Sequence, residues 1–288
     1  MQFRVQSTPS SETIFHYLAR TTTYGSAVRQ VSSALMTQSK LELKLVDVDV
    51  AALLASVLDI VRTRGFSGWR HKDGESERYG GFSLTYNPDH QDGLDPHVST
   101  IGTPKNAPNE FFWNTTGAHQ TPKHSYFDTY GFRARTPASR EGALGDFLDT
   151  FRRSMVRSRV GIIVGKNIDP TDQTYRDNAG WHRDELVFEN VRVNIPLQTD
   201  ENFVFQMENE KPYHLDVGKA YTWDTNRPHR VFAIGPSSTT RIHLVLGFSP
   251  WFDYDAATDM WVQNEFFGRV HPFEIVASGA LSPCIRMA

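Results

Sequence analysis

The sequence predicts a mainly β protein with flanking helices, a sandwich or jelly-roll core carrying a helical N-terminal elaboration. Three observations predict it. Seven short strand-like runs crowd the stretch 159–250, separated by turns such as "DVGK" and "GPSS". Two stretches of helical periodicity precede them, and after these the pattern becomes β. With 288 residues, 39% of them apolar and 12% aromatic, the chain is long and apolar enough to bury a substantial core.

Taken in order, "MQFRVQSTPSSETIF" opens the chain without an apolar h-region, so no secretory leader is expected. Residues 46–64, "VDVDVAALLASVLDIVRTR", begin in Asp-Val alternation and then turn helical. Leu53, Leu54, Val57, Leu58 and Val61 recur at three- and four-residue spacing, and Gly65 is a natural stop. From Phe66 to Arg135 periodic runs are few and Gly, Pro, Asn, His and aromatics abound. A long irregular segment of this kind is functional or disordered, and its aromatics argue against disorder.

A second amphipathic helix is expected over 143–158, with Leu144, Phe147, Leu148, Phe151 and Met155 on one face. Strands follow at "RVGIIVGK", "VRVNIPLQ", "NFVFQME", "PYHLDV", "KAYTWDT", "HRVFAIG" and "RIHLVLGF". From Trp251 onward the chain is aromatic-rich, fit to cover the core or a neighbouring subunit, which admits a homodimer. With no internal repeat or low-complexity linker, 1–288 reads as a single domain. It divides into an N-terminal elaboration (1–158), the β core (159–250) and a C-terminal cover (251–288).

The net charge of −3 gives no footprint for nucleic acid or a membrane surface, and no run approaches 18 apolar residues. The one cysteine, Cys284, excludes an intramolecular disulfide and suits a reducing compartment. The expectation is a cytoplasmic protein acting on a small molecule.

Four His-x-Asp triplets occur: His71-x-Asp73, His90-x-Asp92, His182-x-Asp184 and His214-x-Asp216. About one is expected by chance, so context must choose among them. In an extended segment, residues two apart point to the same side, so His182 and Asp184 can reach one metal while Arg183 turns away. His229, in "NRPHRV" at the mouth of a strand, supplies a third ligand. Two imidazoles and one carboxylate on one face of an ion leave positions open, as a non-haem Fe(II) oxygenase needs for a chelating co-substrate and O2. The His71 set, with His119 and Arg133, falls in the irregular stretch, and His90 and His214 lack a later histidine and arginine in β context.

Arg241 opens the apolar strand "RIHLVLGF", where a lone arginine is costly unless an anion meets it. Arg192 poses the same question in "VRVNIPL": Val191, Val193, Ile195 and Leu197 take one face, Arg192 and Asn194 the other. Both arginines are expected to point into one pocket.

The order His-x-Asp, a strand with "RVNIPL", a histidine some fifty residues on, then an arginine opening the last core strand resembles the Fe(II)/2-oxoglutarate-dependent oxygenases. It is most similar to their aspartyl/asparaginyl β-hydroxylase-like group, which includes some bacterial proline hydroxylases, and the resemblance spans 159–250. It implies a double-stranded β-helix, jelly-roll or cupin-like, holding Fe(II) through His182, Asp184 and His229. Arg241 would bind the distal carboxylate of 2-oxoglutarate, and the arginine matching Arg192 helps bind a carboxylate within the pocket. Asn194 stands where the group often has a histidine, a departure touching the co-substrate's surroundings. The implied reaction is oxidation of a small polar substrate such as an amino acid or sugar-containing metabolite, by hydroxylation or oxidative cyclisation. Trp113, Tyr126, Asp128, Tyr130 and His243 are the candidate substrate contacts. Two alternatives stand: a cupin-like metalloenzyme without 2-oxoglutarate, and a metal-free jelly-roll carbohydrate-binding module using the aromatics of 111–130.

Overall fold

The computed structural model describes residues 40–44, 48–71, 74–88, 132–149, 155–165, 181, 190–225, 227–235, 237–249 and 251–264. Fourteen strands and two α-helices are assigned among them. A seven-stranded antiparallel sheet forms the centre, built from β1 (Lys40–Lys44), β2 (Ser67–His71), β3 (Gly74–Ser83), β6 (Arg159–Val164), β7 (Val191–Gln198), β10 (Lys219–Trp223) and β12 (Thr240–Phe248). Its order is β1-β10-β7-β12-β6-β3-β2. A three-stranded sheet holds β8 (Phe203–Met207), β9 (Tyr213–His214) and β11 (His229–Ala233) in the order β11-β8-β9. From β7 to β12 the chain thus changes sheets repeatedly: large, small, small, large, small, large.

The phase of each strand decides what meets what. Val191, Val193, Ile195 and Leu197 on β7 and Ile242, Leu244, Leu246 and Phe248 on β12 are all buried in one apolar cluster. That cluster includes the buried face of α1 (Val50–Arg64) and of α2 (Gly142–Asp149). Asp49 caps α1 by accepting from the Ala52 N–H at 2.9 Å. Gly65, at φ 75°, ends it with its N–H on the Val61 carbonyl at 2.9 Å. The other face of the large sheet meets the three-stranded sheet. Phe205 and Trp223 meet there as a tilted pair with centroids 4.0 Å apart, and Ile163 packs with Phe203 and Ala233.

A third sheet, in the order β13-β14-β5-β4, comprises β4 (Thr85–Tyr86), β5 (Ala134–Arg135), β13 (Phe252–Asp255) and β14 (Met260–Gln263). Trp251, Phe252 and Trp261 deliver the described part of the C-terminal segment into the main core. Arg135, buried at the end of β5, donates to the Asp149 carboxylate and the Ser139 carbonyl, tying α2 to this sheet.

Several local expectations are corrected. On α1 the buried residues are Leu53, Val57 and Ile60, while Leu58 is 42% exposed. The 100° step of the helix carries Leu58 away from the Leu53–Val57 line and brings Ile60 toward it. The second helix ends at Asp149, and Met155 instead makes a β-bridge to Phe248. The stretch read as irregular contains β2, β3, β4 and β5 within its described residues. Strand β1 was not anticipated in an N-terminal part read as helical. No described helix is long and apolar enough to cross a membrane.

Candidate active site

Alternation that buries the apolar residues of β7 and β12 against the helices must turn the intervening residues between the two sheets. The pairing places Gly247 opposite Arg192, Val245 opposite Asn194 and His243 opposite Pro196. On the other side of β12, Arg241 faces Ile163 and His243 faces Gly161. Pro196 has no N–H for the ladder, and the register shifts between Ile242 and His243, beside it. The bulge therefore falls where β12 carries its two polar inward side chains.

At one end of this inner face stand Arg241, 8% exposed, and His243, 1% exposed, with Arg241 Nη2 2.8 Å from His243 Nδ1. A guanidinium can only donate, so Nδ1 accepts and the imidazole proton sits on Nε2. Burial, then the charges of Arg241 and His214, hold the His243 pKa well below its ordinary value, so the ring is neutral. Its Nε2 is buried and meets no hydrogen-bond partner among the described residues. Beside it, no described atom lies within 4 Å of where a Cβ on Gly161 would stand.

His229 occupies the start of β11 and is 3% exposed. Its Nδ1 lies 2.9 Å from the Arg227 carbonyl, which can only accept, so Nδ1 carries the proton and Nε2 the lone pair. The ring is held by Phe205, stacked at 5.7 Å, and by Trp223, edge-on at 6.1 Å. A buried imidazole oriented through Nδ1 by a backbone carbonyl has the tautomer and bracing of a metal ligand.

Arg192 and Arg241 share the inner face and stand at different points along it. Arg192 sits across from Gly247, six residues along β12 from Arg241, about 20 Å of strand. Its Nη1 donates to the Arg157 carbonyl at 3.4 Å. Asn194, buried, lies between the two. Near Arg192 the Asn190 amide is fully buried with neither polar atom partnered among the described residues, packed so closely on β12 that a Cβ on Gly247 would stand 2.6 Å from its Oδ1. Trp223 Nε1 is likewise buried without a hydrogen-bond partner among the described residues.

His182, Asp184, Trp113, Tyr126, Asp128 and Tyr130 lie outside the described residues, as do His90 and Asp92. Among the described residues no three His, Cys, Asp or Glu side chains gather as metal ligands would. Trp181, immediately before His182, is described: the Arg230 guanidinium lies 4.5 Å from its ring centroid and 4.2 Å from that of Phe232. The competing triplets are placed elsewhere. His71 does lie on a strand, β2, but at the edge of the large sheet, three strands from β12. His214 Nδ1 is 3.0 Å from the Phe203 carbonyl, and Asp216 accepts from Lys219 at 2.9 Å while its N–H donates to the Tyr221 hydroxyl at 2.8 Å. That triplet braces a turn. Sequence reasoning missed Phe205 and Gly161; a glycine inside a strand signals close approach or kept space, which "RVGIIV" carried.

No protein-family profile matches the chain, and no curated protein matches it. Among solved structures it is similar to a 2OG-Fe(II) oxygenase family oxidoreductase from Burkholderia pseudomallei, 12% identical over 77% of this chain and 90% of the other, at a TM-score of 0.38. It is similar to a Pseudomonas putida prolyl-4-hydroxylase, 11% identical over 77% and 98% at 0.37. The α-ketoglutarate-dependent epimerase SnoN from nogalamycin biosynthesis is 8% identical over 78% and 81%, at 0.39.

Proposed function

We propose that this chain is a non-haem Fe(II)/2-oxoglutarate-dependent dioxygenase on a double-stranded β-helix, oxidising a small polar substrate. The strand order supports the fold: β10-β7-β12-β6 faces β11-β8-β9, with consecutive strands passing between sheets as in a jelly roll. The observation that carries the function is a single inner face holding a buried arginine beside a neutral histidine, opposite a strand that opens on a metal-competent histidine.

In this reading His182, Asp184 and His229 hold Fe(II), and the lone pair on His229 Nε2 suits that role. Iron held there, with 2-oxoglutarate and O2, would supply the chemistry that oxidises a substrate C–H bond. The chain's own residues bind and orient. Arg241 pairs with the distal carboxylate of 2-oxoglutarate. Phe205 and Trp223 fix the plane of His229 and exclude water around it. Arg192 and Asn194, farther along the same face, are left to meet the substrate end of the pocket. Hydroxylation is the outcome favoured, with oxidative cyclisation beside it, on an amino acid or sugar-containing metabolite contacted by Trp113, Tyr126, Asp128 and Tyr130.

Anaerobic titration of the apo-protein with Fe(II), then 2-oxoglutarate, tests this in the visible spectrum. A weak charge-transfer band that is lost in His182→Ala and in His229→Ala supports the reading. Iron that binds without a band points to a metalloenzyme needing no 2-oxoglutarate. No iron binding at all points to a metal-free binding module.

A further inference from the structure

Two consecutive side chains at the start of β11 serve opposite sides of the three-stranded sheet. His229 turns inward to Phe205 and Trp223, and Arg230 turns outward, as strand alternation requires. On the outer side Arg230 is restrained from two directions. Gln206, its register partner on β8, accepts through Oε1 from Arg230 Nε at 3.0 Å and from Nη2 at 2.7 Å. The Gln206 amide is itself fixed, because its Nε2 donates to the Glu210 carbonyl at 2.8 Å. The ring of Phe232, two residues along the same strand, has its centroid 4.2 Å from the guanidinium carbon. A guanidinium restrained in this way gives up little further freedom in meeting Trp181, whose ring centroid is 4.5 Å away. Trp181 is 41% exposed, so burial secures this indole less than it secures a core aromatic, and the contact with Arg230 gains weight.

This contact joins both parts of the candidate iron site, since Trp181 is bonded to His182 and Arg230 to His229. We infer that Arg230 is a positioning residue: steadied by Gln206 and Phe232, it anchors Trp181 on β11 and so sets how His182 and Asp184 stand toward His229. This rests on the reading above, in which those three residues hold Fe(II). Arg230 acts through Trp181 and not on the metal. In an extended chain, an indole on the outer face leaves the next side chain, and the one two further on, for the inner face, where His229 stands. Losing the anchor keeps all three ligands in the chain and makes the metal order them, a cost that appears as weaker metal binding.

Calorimetric titration of the purified full chain with Mn(II) tests the anchor without recourse to turnover. Trp181→Ala and Arg230→Met should each weaken Mn(II) binding by about 2- to 30-fold, with urea midpoints of the metal-free proteins near wild type. The double variant should lose no more than either single one, because the two residues act as a pair. Trp181→Phe, which keeps an aromatic face, should recover part of the loss. Trp181→Leu, apolar but without that face, repeats the test if the alanine variant does not fold. Wild-type affinity in both single variants, losses that add in the double variant, or losses matched by a fall in the metal-free urea midpoint overturn the inference and leave the iron site standing. Wild-type protein with no affinity for Mn(II) overturns the underlying reading, and the anchor with it.

Discussion

The two faces of the seven-stranded sheet are made by the same strands and obey different rules. Toward α1 and α2, β7 and β12 present Val191, Val193, Ile195, Leu197, Ile242, Leu244, Leu246 and Phe248, a continuous apolar surface. Toward the three-stranded sheet the same strands present Arg192, Asn194, Arg241 and His243, all buried. Burying apolar area on the first face stabilises the fold by about 25 cal/mol per Å2. Burying charge on the second costs free energy that only a partner recovers. One residue of phase separates them. The contrast is between a helix-side face that is apolar throughout and an inner face that sets buried polar side chains beside its apolar contacts.

Substitutions should separate the two faces. The largest effect is expected on the helix side: Leu244→Ala, at a fully buried position, should lower stability by about 2–5 kcal/mol in denaturant unfolding. In the surviving folded fraction, its 2-oxoglutarate affinity should stay near wild type; a selective loss of affinity would blur the division. On the inner face the signs reverse. Arg241→Met should leave stability equal or higher, because a flexible apolar chain replaces a buried cation. It should also raise the 2-oxoglutarate KM by about 10- to 100-fold, as expected for losing a charged contact of about 1.5–3 kcal/mol. An Arg241→Met protein that unfolds more readily at unchanged KM would reassign Arg241 to structure.

The smallest effect is in pH. The His243 pKa is held below its ordinary 6.5 in the folded protein, chiefly by burial. Between the folded and unfolded values the unfolded chain binds a proton that the folded chain does not. Stability from this group is therefore complete above about pH 6.5 and lost as pH falls below it, by at most about 1.4 kcal/mol per unit. Urea midpoints of metal-free wild type and His243→Asn, compared from about pH 7.5 to about pH 5.5, should show the steeper acid loss in wild type. Parallel curves would mean that His243 is not held neutral.

Much of this contrast was legible in the residues. The alternation in "VRVNIPL" assigned Arg192 and Asn194 to the face opposite the valines, and β7 is Val191–Gln198 as read. The strands at "RVGIIV", "HRVFA" and "RIHLVLGF" also fall where their patterns put them. What failed were features that depend on the partner strand rather than on the strand itself. β2 and β3 pair with each other and β3 joins β6, so neighbours rather than periodicity make strands of "SGWRH" and "GESERYGGFS". How far Arg192 stands from Arg241 along the sheet, on which the sequence offered no expectation, is a matter of register that single-strand patterns do not carry. The tautomer of His229 follows from the Arg227 carbonyl two residues before it, a contact invisible without backbone geometry.

The order β1-β10-β7 also bears on how the protein can be shortened. β1 forms the outer border of the sheet through five consecutive pairings, Lys40 with Trp223 through Lys44 with Lys219. Its "KLELK" sequence alternates charge with leucine, and the Lys219 ammonium bridges Glu42 and Asp216 across it. A chain cut after Lys44 would uncover the backbone donors and acceptors of β10 along its length. An uncovered, paired-ready strand is a template for another polypeptide, so β1 guards β10 against pairing with other copies of the chain.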